Sequence, residues 1–128
     1  MKRLFFLTAI LAVFGLSSCE KEPSQAIIGT WEAEKMVMTA EGMSMDMNMD
    51  EMGIKLELTF HEDGTANAYM ESEGMRENSP FEYEVSGNTL YMIAEGESIT
   101  VPITIDGKKM TMEMREEGAK IIIHLKKK

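Results

Sequence analysis

The chain has 128 residues, and its 22 acidic against 13 basic side chains give a formal net charge of −9. A surface of that sign repels phosphate backbones, which excludes nucleic acid as an expected partner. A single cysteine leaves no second thiol for an internal disulfide, and the length suits one domain with one core.

The N-terminal segment has the layout of an export signal. A cationic start, Lys2-Arg3, precedes an apolar run over residues 4–16. That run is too short to span a bilayer, and small residues follow it directly. The pattern predicts that residues 1–18 are a signal peptide removed from the mature protein.

Cys19 follows the signal in the sequence Leu16-Ser17-Ser18-Cys19. This junction resembles the bacterial lipobox, in which signal peptidase II cleaves before the cysteine and its sulfur receives diacylglycerol. The resemblance implies a lipoprotein anchored to the outer membrane of the cell envelope, facing the periplasm or the cell surface. Ordinary cleavage that leaves a free thiol is the alternative. Residues 19–26 are then the lipidated cysteine and a polar tether, and residues 27–128 are the folded domain.

An alternating segment followed by a glycine turn repeats from Ile54 to the C-terminus. The turn glycines, at positions 64, 74, 87, 96, 107 and 118, lie 9 to 13 residues apart. Alternation indicates strands with one buried face, and short spacing favours hairpins over crossovers. With a first strand over residues 27–39, this predicts about eight strands. Closure into a small up-and-down antiparallel β-barrel would leave no exposed edges.

Two stretches resemble a known family. Gly29-Thr30-Trp31 is similar to the G-x-W start of the lipocalins, in which the tryptophan plugs the closed end of the barrel. Residues 56–66, LELTFHEDGTA, are similar to the matching strand and turn in lipocalin-like domains of Gram-negative lipoproteins. The T-D-Y motif of classical lipocalins is absent. The resemblance implies a plug at Gly29 and Trp31, with Arg115 or Lys126 packed on the indole.

A lipocalin-like barrel also implies a pocket for a small hydrophobic ligand. By the alternation, the candidates to line that pocket are Leu56, Leu58, Phe60, Phe81, Tyr83 and Met112. An eight-stranded barrel holds either filling side chains or one small ligand, and the small residues Ala33, Ala66 and Ala68 would leave space. The alternative is a filled barrel that serves as a structural or assembly module.

Residues 43–52, MSMDMNMDEM, are the most unusual stretch. In extended form Met43, Met45, Met47 and Met49 would share one face. We interpret residues 40–52 as a mobile loop that forms a lid over the open end, because flexible methionines repack on varied apolar shapes. One alternative is that it grips a protein partner. Another is that its thioethers, which are soft ligands, bind Cu(I). Such sites usually add His or Cys, which this stretch lacks, so we predict no metal and no cofactor.

Motifs for catalysis are absent from the sequence, which contains no nucleophile elbow, no Walker loop and no H-E-x-x-H. The carboxylates of Glu82, Glu84 and Glu113 fall on outward positions, where pairing for acid–base chemistry is not expected. His61 and His124 are expected at the surface. We predict a binding protein and no enzyme.

Replacement of Cys19 tests the anchor. Cys19→Ala should leave the precursor uncleaved by signal peptidase II and without diacylglycerol, because the lipid is attached through the cysteine sulfur. Two acyl chains are sufficient for stable anchoring, whereas one is marginal. Intact-mass measurement of the mature wild type should show the diacylglyceryl group, and an unmodified Cys19 would contradict the prediction.

Overall fold

The computed structural model describes residues 22–128, so the signal segment and Cys19 lie outside the described residues. Its elements in chain order are α1 (Pro23–Ala26), β1 (Gly29–Ala40), β2 (Met43–Asn48), α2 (Met49–Met52), β3 (Ile54–Phe60), β4 (Thr65–Ser72), β5 (Met75–Ser86), β6 (Thr89–Ala94), β7 (Glu97–Asp106), β8 (Lys109–Glu116) and β9 (Ala119–Lys127). Within that range, no helix has the length and apolar character needed to cross a membrane.

The strands of the described region form one antiparallel sheet that closes on itself, because β1 pairs with β9. Eight of the nine strands make the closed ring, and the ninth, β2, is hydrogen-bonded to β1. The predicted up-and-down antiparallel barrel is confirmed. The prediction of a mobile loop over residues 40–52 is wrong for residues 43–48, because these residues are strand β2. Their period-two alternation is a strand pattern, and Glu41-Gly42 supply a tight turn before it.

Different turns join the strands at the two ends of the barrel. At one end, which we call the open end, four turns have the sequence Glu-Gly, at residues 41–42, 73–74, 95–96 and 117–118. Both residues of each turn have positive φ, which matches the right-handed twist of the flanking strands. At the other end, the closed end, Gly87 and Gly107 stand first in their two-residue turns, also with positive φ. The turn chemistry therefore places four exposed glutamates on the rim of the open end.

Trp31 fills the closed end. The side chain is fully buried, and its indole N–H donates a hydrogen bond to the carbonyl oxygen of Ile27 at 2.8 Å. Ile27 is also fully buried, just after the helical turn α1. The start of the domain therefore folds under the barrel and satisfies the one polar group of the tryptophan.

Lys127 packs on Trp31, and the prediction of Arg115 or Lys126 in this role is wrong. The Lys127 ammonium lies 5.4 Å from the centroid of the indole ring. Trp31 and Lys127 are directly paired in the β1–β9 ladder and so share a face, whereas Lys126 is exposed and Arg115 lies near the open end. At Gly29, a Cβ atom would lie 2.7 Å from the Lys127 Cε, so the glycine makes room for the lysine stem.

Side chains fill the half of the barrel next to the closed end. The largest that are fully buried are Trp31, Phe60, Ile27, Leu90, Met110, Met112, Leu125 and Val101. Phe60 makes edge-to-face contacts with Tyr83 and Phe81, with ring centroids 4.9 Å and 6.0 Å apart. Among the described residues, no buried side-chain N or O lacks a hydrogen bond. This half is a packed core.

Truncation of Trp31 measures the importance of the plug. Trp31→Ala should lower the free energy of unfolding by about 3–5 kcal/mol, as large aromatic truncations do in packed cores. Denaturant titration gives this value. Trp31→Phe should lose less, because one apolar ring remains, although the second ring of the indole and its hydrogen bond to Ile27 are removed. A loss below about 1 kcal/mol for Trp31→Ala would place the indole at the surface.

Candidate binding site at the open end

The barrel wall opens toward the open end because three ladders stop short. The β5–β6 ladder covers only Glu82–Ser86 of β5, and the β7–β8 ladder covers only Ile103–Asp106 of β7. The β1–β3 ladder likewise covers only Gly29–Glu32 of β1. Beyond these ladders three separate sheets remain, formed by β8-β9-β1-β2, by β3-β4-β5 and by β6-β7. The open half is therefore an interior bordered by three sheets with clefts between them.

A proline stands at two of the three openings. Pro80 lies in the part of β5 that pairs with β4 but lies beyond the β6 ladder. Pro102 is the last residue of β7 to pair with β6, and Ile103 is the first to pair with β8. Proline has no N–H to donate to a ladder, so it is confined to strand edges. Sequence reasoning missed these openings, although Pro102 inside one predicted strand and Pro80 directly before another were the available signals.

The third opening, between β2 and β3, is occupied by α2. The Asn48 side chain caps this helical turn and accepts hydrogen bonds from the backbone N–H groups of Asp50 and Glu51 at 2.9 and 3.3 Å. Met49 is 4% exposed and belongs to the core. The predicted shared face therefore holds for Met43, Met45 and Met47 but not for Met49, because the helical turn ends the strand alternation.

The methionines of β1 and β2 line one inner wall of the open half. Met36 pairs with Met47, and Met38 pairs with Met45. Directly opposite residues of an antiparallel pair point to the same side of the sheet. Met36 packs against the core, so all four thioethers face the interior. Met45 is nevertheless 61% exposed, and Met43 on the same face is 76% exposed, because no sheet covers them.

The opposite wall is mainly apolar, although Glu77 pairs with Met70 and so lies on the same inward face. Met70, Met75 and Ile99 are 45%, 77% and 52% exposed, although each pairs with residues of the inward face. Beside them is a cleft of about 280 Å³ whose lining is Ala68, Ser79, Pro80, Phe81, Met92, Ala94, Glu97 and Ile99. A second cleft of about 340 Å³ shares Pro80, Phe81 and Ala94 with it and reaches Thr65 and Glu82 on the outer face.

The predicted lining residues divide between the packed core and this cleft. Leu58, Phe60 and Met112 are buried in the closed half, whereas Phe81 lines the cleft. Leu56 is half-buried against the core. Met70 and Ile99 were not among the predicted lining residues. Met70 fell in a segment with weaker alternation, whereas Ile99 fell in a clearly alternating segment and could have been included. Their part in binding, like that of the predicted residues, stays a prediction.

Tyr83, the remaining predicted lining residue, is half-buried and turned toward the closed end. Its hydroxyl donates a hydrogen bond to the carbonyl oxygen of His61 at 2.5 Å. Burial, and then the negative charges of Asp63 and Glu62, raise the pKa of the Tyr83 hydroxyl. The group therefore stays protonated and holds the β3–β4 turn against β5.

The carboxylates near the open half do not converge. Glu113 forms an ion pair with Lys120 at 3.2 Å, and the hydrogen bond from Lys120 lowers the pKa of Glu113. Glu82 and Glu84 are exposed. Among residues 22–128, no group of three or more His, Cys, Asp or Glu side chains could hold a metal ion. The site offers apolar and thioether contacts with a few polar groups at its border.

Comparisons with known proteins define the class of this barrel. Residues 27–112 match the model of the lipocalin-like domain family, so the chain belongs to that family. The crystal structure of a lipocalin-like protein from Bacteroides uniformis is similar, with a TM-score of 0.58 and 15% sequence identity. The similarity covers 80% of this chain and 99% of that chain, and it shows the fold alone. A search of curated proteins finds no match.

Methionine substitutions should separate the open wall from the core. Met112→Ala and Met49→Ala should each lower the free energy of unfolding by about 2–5 kcal/mol, because both side chains are buried. Met43→Ser and Met45→Ser should change it by no more than about 0.5 kcal/mol, as is usual for exposed positions. Denaturant titration compares the four. If Met45→Ser is as damaging as Met112→Ala, the β2 face is part of the core.

Proposed function

We propose that this protein is a lipid-anchored binding protein of the cell envelope, whose open half-barrel holds a small apolar molecule. One observation carries the proposal: the inward face of the open half is mainly apolar, exposed to water and continuous with a mainly apolar cleft. Membership of the lipocalin-like family supports the barrel fold, and the open half of the barrel is the candidate site for the ligand.

Exposed apolar surface on an inward face is the first support. Met43, Met45, Met75 and Ile99 are each more than half exposed. Burial of apolar surface is worth about 25 cal/mol per Å², so leaving these side chains in water forgoes stability that a ligand would recover. Exposed apolar patches with a polar rim are typical of ligand-binding grooves. The four rim glutamates supply that polar border.

The size and lining of the cleft indicate the class of ligand. Its volume of about 280 Å³ is close to the lower limit of roughly 300 Å³ for small-molecule pockets. Its lining is mainly apolar, with the Ser79 hydroxyl and the Glu97 carboxylate as polar groups. Such a cleft suits a small apolar molecule or one arm of a larger one. The closed half is already filled by Trp31, Phe60 and their neighbours.

The point at which the chain enters the barrel indicates how the barrel would stand on the membrane. The chain enters the barrel at the closed end, through α1 and Ile27. A lipid on Cys19 would lie four residues before Pro23, a distance of at most about 14 Å in extended form. The open end would then face away from the membrane. The glutamates of its rim, which repel anionic head groups, support the same orientation.

Binding of a neutral apolar dye tests the site. Nile red added to the purified protein should give a saturable rise in fluorescence. Ile99→Ser should weaken its binding by about threefold to tenfold, since a lost apolar contact is worth about 1 kcal/mol. Because Ile99 is 52% exposed, this change should leave the melting temperature nearly unaltered.

Tyr91→Ser is the matched control for this test. Tyr91 lies on β6, pairs with Glu84 and Thr100 on the outer face, and is 36% exposed. Its replacement removes apolar surface from the outer face of the sheet, away from the cleft, and should leave dye binding unchanged. Equal losses for Ile99→Ser and Tyr91→Ser, or no saturable binding by the wild type, would overturn the proposal.

A further inference from the structure

The β1–β2 hairpin brings four thioethers together on one face. Met36 stands opposite Met47 and Met38 stands opposite Met45, two rows apart in the ladder and therefore successive on one face. Cβ atoms of opposite residues are about 5 Å apart, and successive residues on one face are about 7 Å apart along a strand. The four Cβ atoms therefore form a rectangle of about 5 Å by 7 Å. Because the methionine side chain has three rotatable bonds, the four sulfur atoms can approach one point above this rectangle.

The surroundings of these sulfur atoms are apolar. Met36 and Met38 are flanked on β9 by Ile123 and Ile121, which face the same side. No group of three or more His, Cys, Asp or Glu in the described part of the chain could hold a metal ion. Neutral thioethers bind soft cations such as Cu(I), whereas hard cations prefer oxygen ligands. The set is therefore selective by its chemistry and would not hold calcium or magnesium.

Charge and access also suit a cation at this place. Glu41 is in the turn of the same hairpin, and Glu117 is in the turn of the β8–β9 hairpin, which is paired to β1. Both are exposed at the open end. Negative charge at the mouth of a cleft raises the local concentration of cations. Met45 is 61% exposed, so an ion can reach the sulfur atoms from the open end without disruption of the fold.

From these observations we infer that Met36, Met38, Met45 and Met47 form a binding site for a soft monovalent cation, of which Cu(I) is the biological candidate. The site is on the β8-β9-β1-β2 sheet. The apolar cleft assigned to the small molecule lies between β4, β5, β6 and β7, so the cation site does not depend on that function. It revises the prediction that the methionine-rich segment binds no metal.

Silver ion is the probe, because Ag(I) is soft and monovalent like Cu(I) and does not need a reducing buffer. The purified wild type in chloride-free buffer should bind one Ag(I) by native mass spectrometry. The combined variant Met36→Leu, Met38→Leu, Met45→Leu and Met47→Leu removes all four sulfur atoms and keeps volume and apolar character. Its affinity for Ag(I) should fall by at least about tenfold. Mutation of groups that only contact a metal ligand already lowers metal affinity by about this factor, and this variant removes the ligands themselves.

A second combined variant, Met70→Leu, Met75→Leu and Met92→Leu, is the matched control. These three methionines face the same interior from the opposite wall, and their loss should leave Ag(I) binding unchanged. In NMR spectra of the wild type, Ag(I) should shift the methyl signals of Met36, Met38, Met45 and Met47, and not that of Met52 outside this face. Nile red binding should persist in the four-leucine variant, which separates this inference from the apolar ligand.

Three results would overturn the inference. The first is retention of Ag(I) binding by the four-leucine variant. The second is an equal loss of binding in the control variant, which would mean scattered coordination by any exposed thioether. The third is a wild type that binds no Ag(I) at low micromolar concentration. Thermal unfolding of both variants without Ag(I) shows whether a lost site reflects lost sulfur or a lost fold.

Discussion

The two edges of β1 decide the shape of this barrel. One edge pairs with β9 from Trp31 to Ala40, which closes the ring. The other edge is shared, because β3 pairs with residues 29–32 and β2 pairs with residues 35–40. A residue in a ladder accepts one partner on each edge, so the presence of β2 prevents β3 from pairing further along β1. The β-bulge between Ala33 and Lys35 lies where one partner gives way to the other. An extra hairpin strand thus opens a wall that would otherwise close.

This division separates stability from binding. In the closed half the ladders are complete, Trp31 is buried beneath Lys127, and apolar side chains fill the interior. In the open half the same inward alternation continues, but the sheets diverge and their apolar faces meet water. The two prolines in the wall keep that divergence, because neither can donate to a ladder that would close it. An unfilled apolar interior that is held open by backbone constraints is preorganised for a ligand, which lowers the free energy needed to order the site on binding.

The pairing of β1 with β2 also determines where the methionines of these two strands lie. Along β1 and β2 their thioethers alternate with polar residues, so pairing of the two strands concentrates sulfur on the inner face and carboxylates such as Asp46 on the outer face. The Glu-Gly turns then add negative charge at the mouth. Apolar contact, soft donor atoms and an acidic rim therefore lie within one open half-barrel. A lid was not needed to explain the methionine-rich segment, since it is part of the wall.

The strands and the inward face of most of them could be predicted from the sequence, and the resemblance to the lipocalins implied the plug at the closed end. Alternation and turn chemistry are local properties, and Leu58 and Phe60 lie where their own segments predict. Three features could be seen only in the folded chain: where each ladder stops, which lysine covers Trp31, and that Met49 is in the core while Met45 is exposed. Those outcomes depend on which segment occupies each edge of β1. The strands β2, β3 and β9 that pair with β1 come from different parts of the chain, so no local sequence pattern predicts which of them pairs with a given residue of β1.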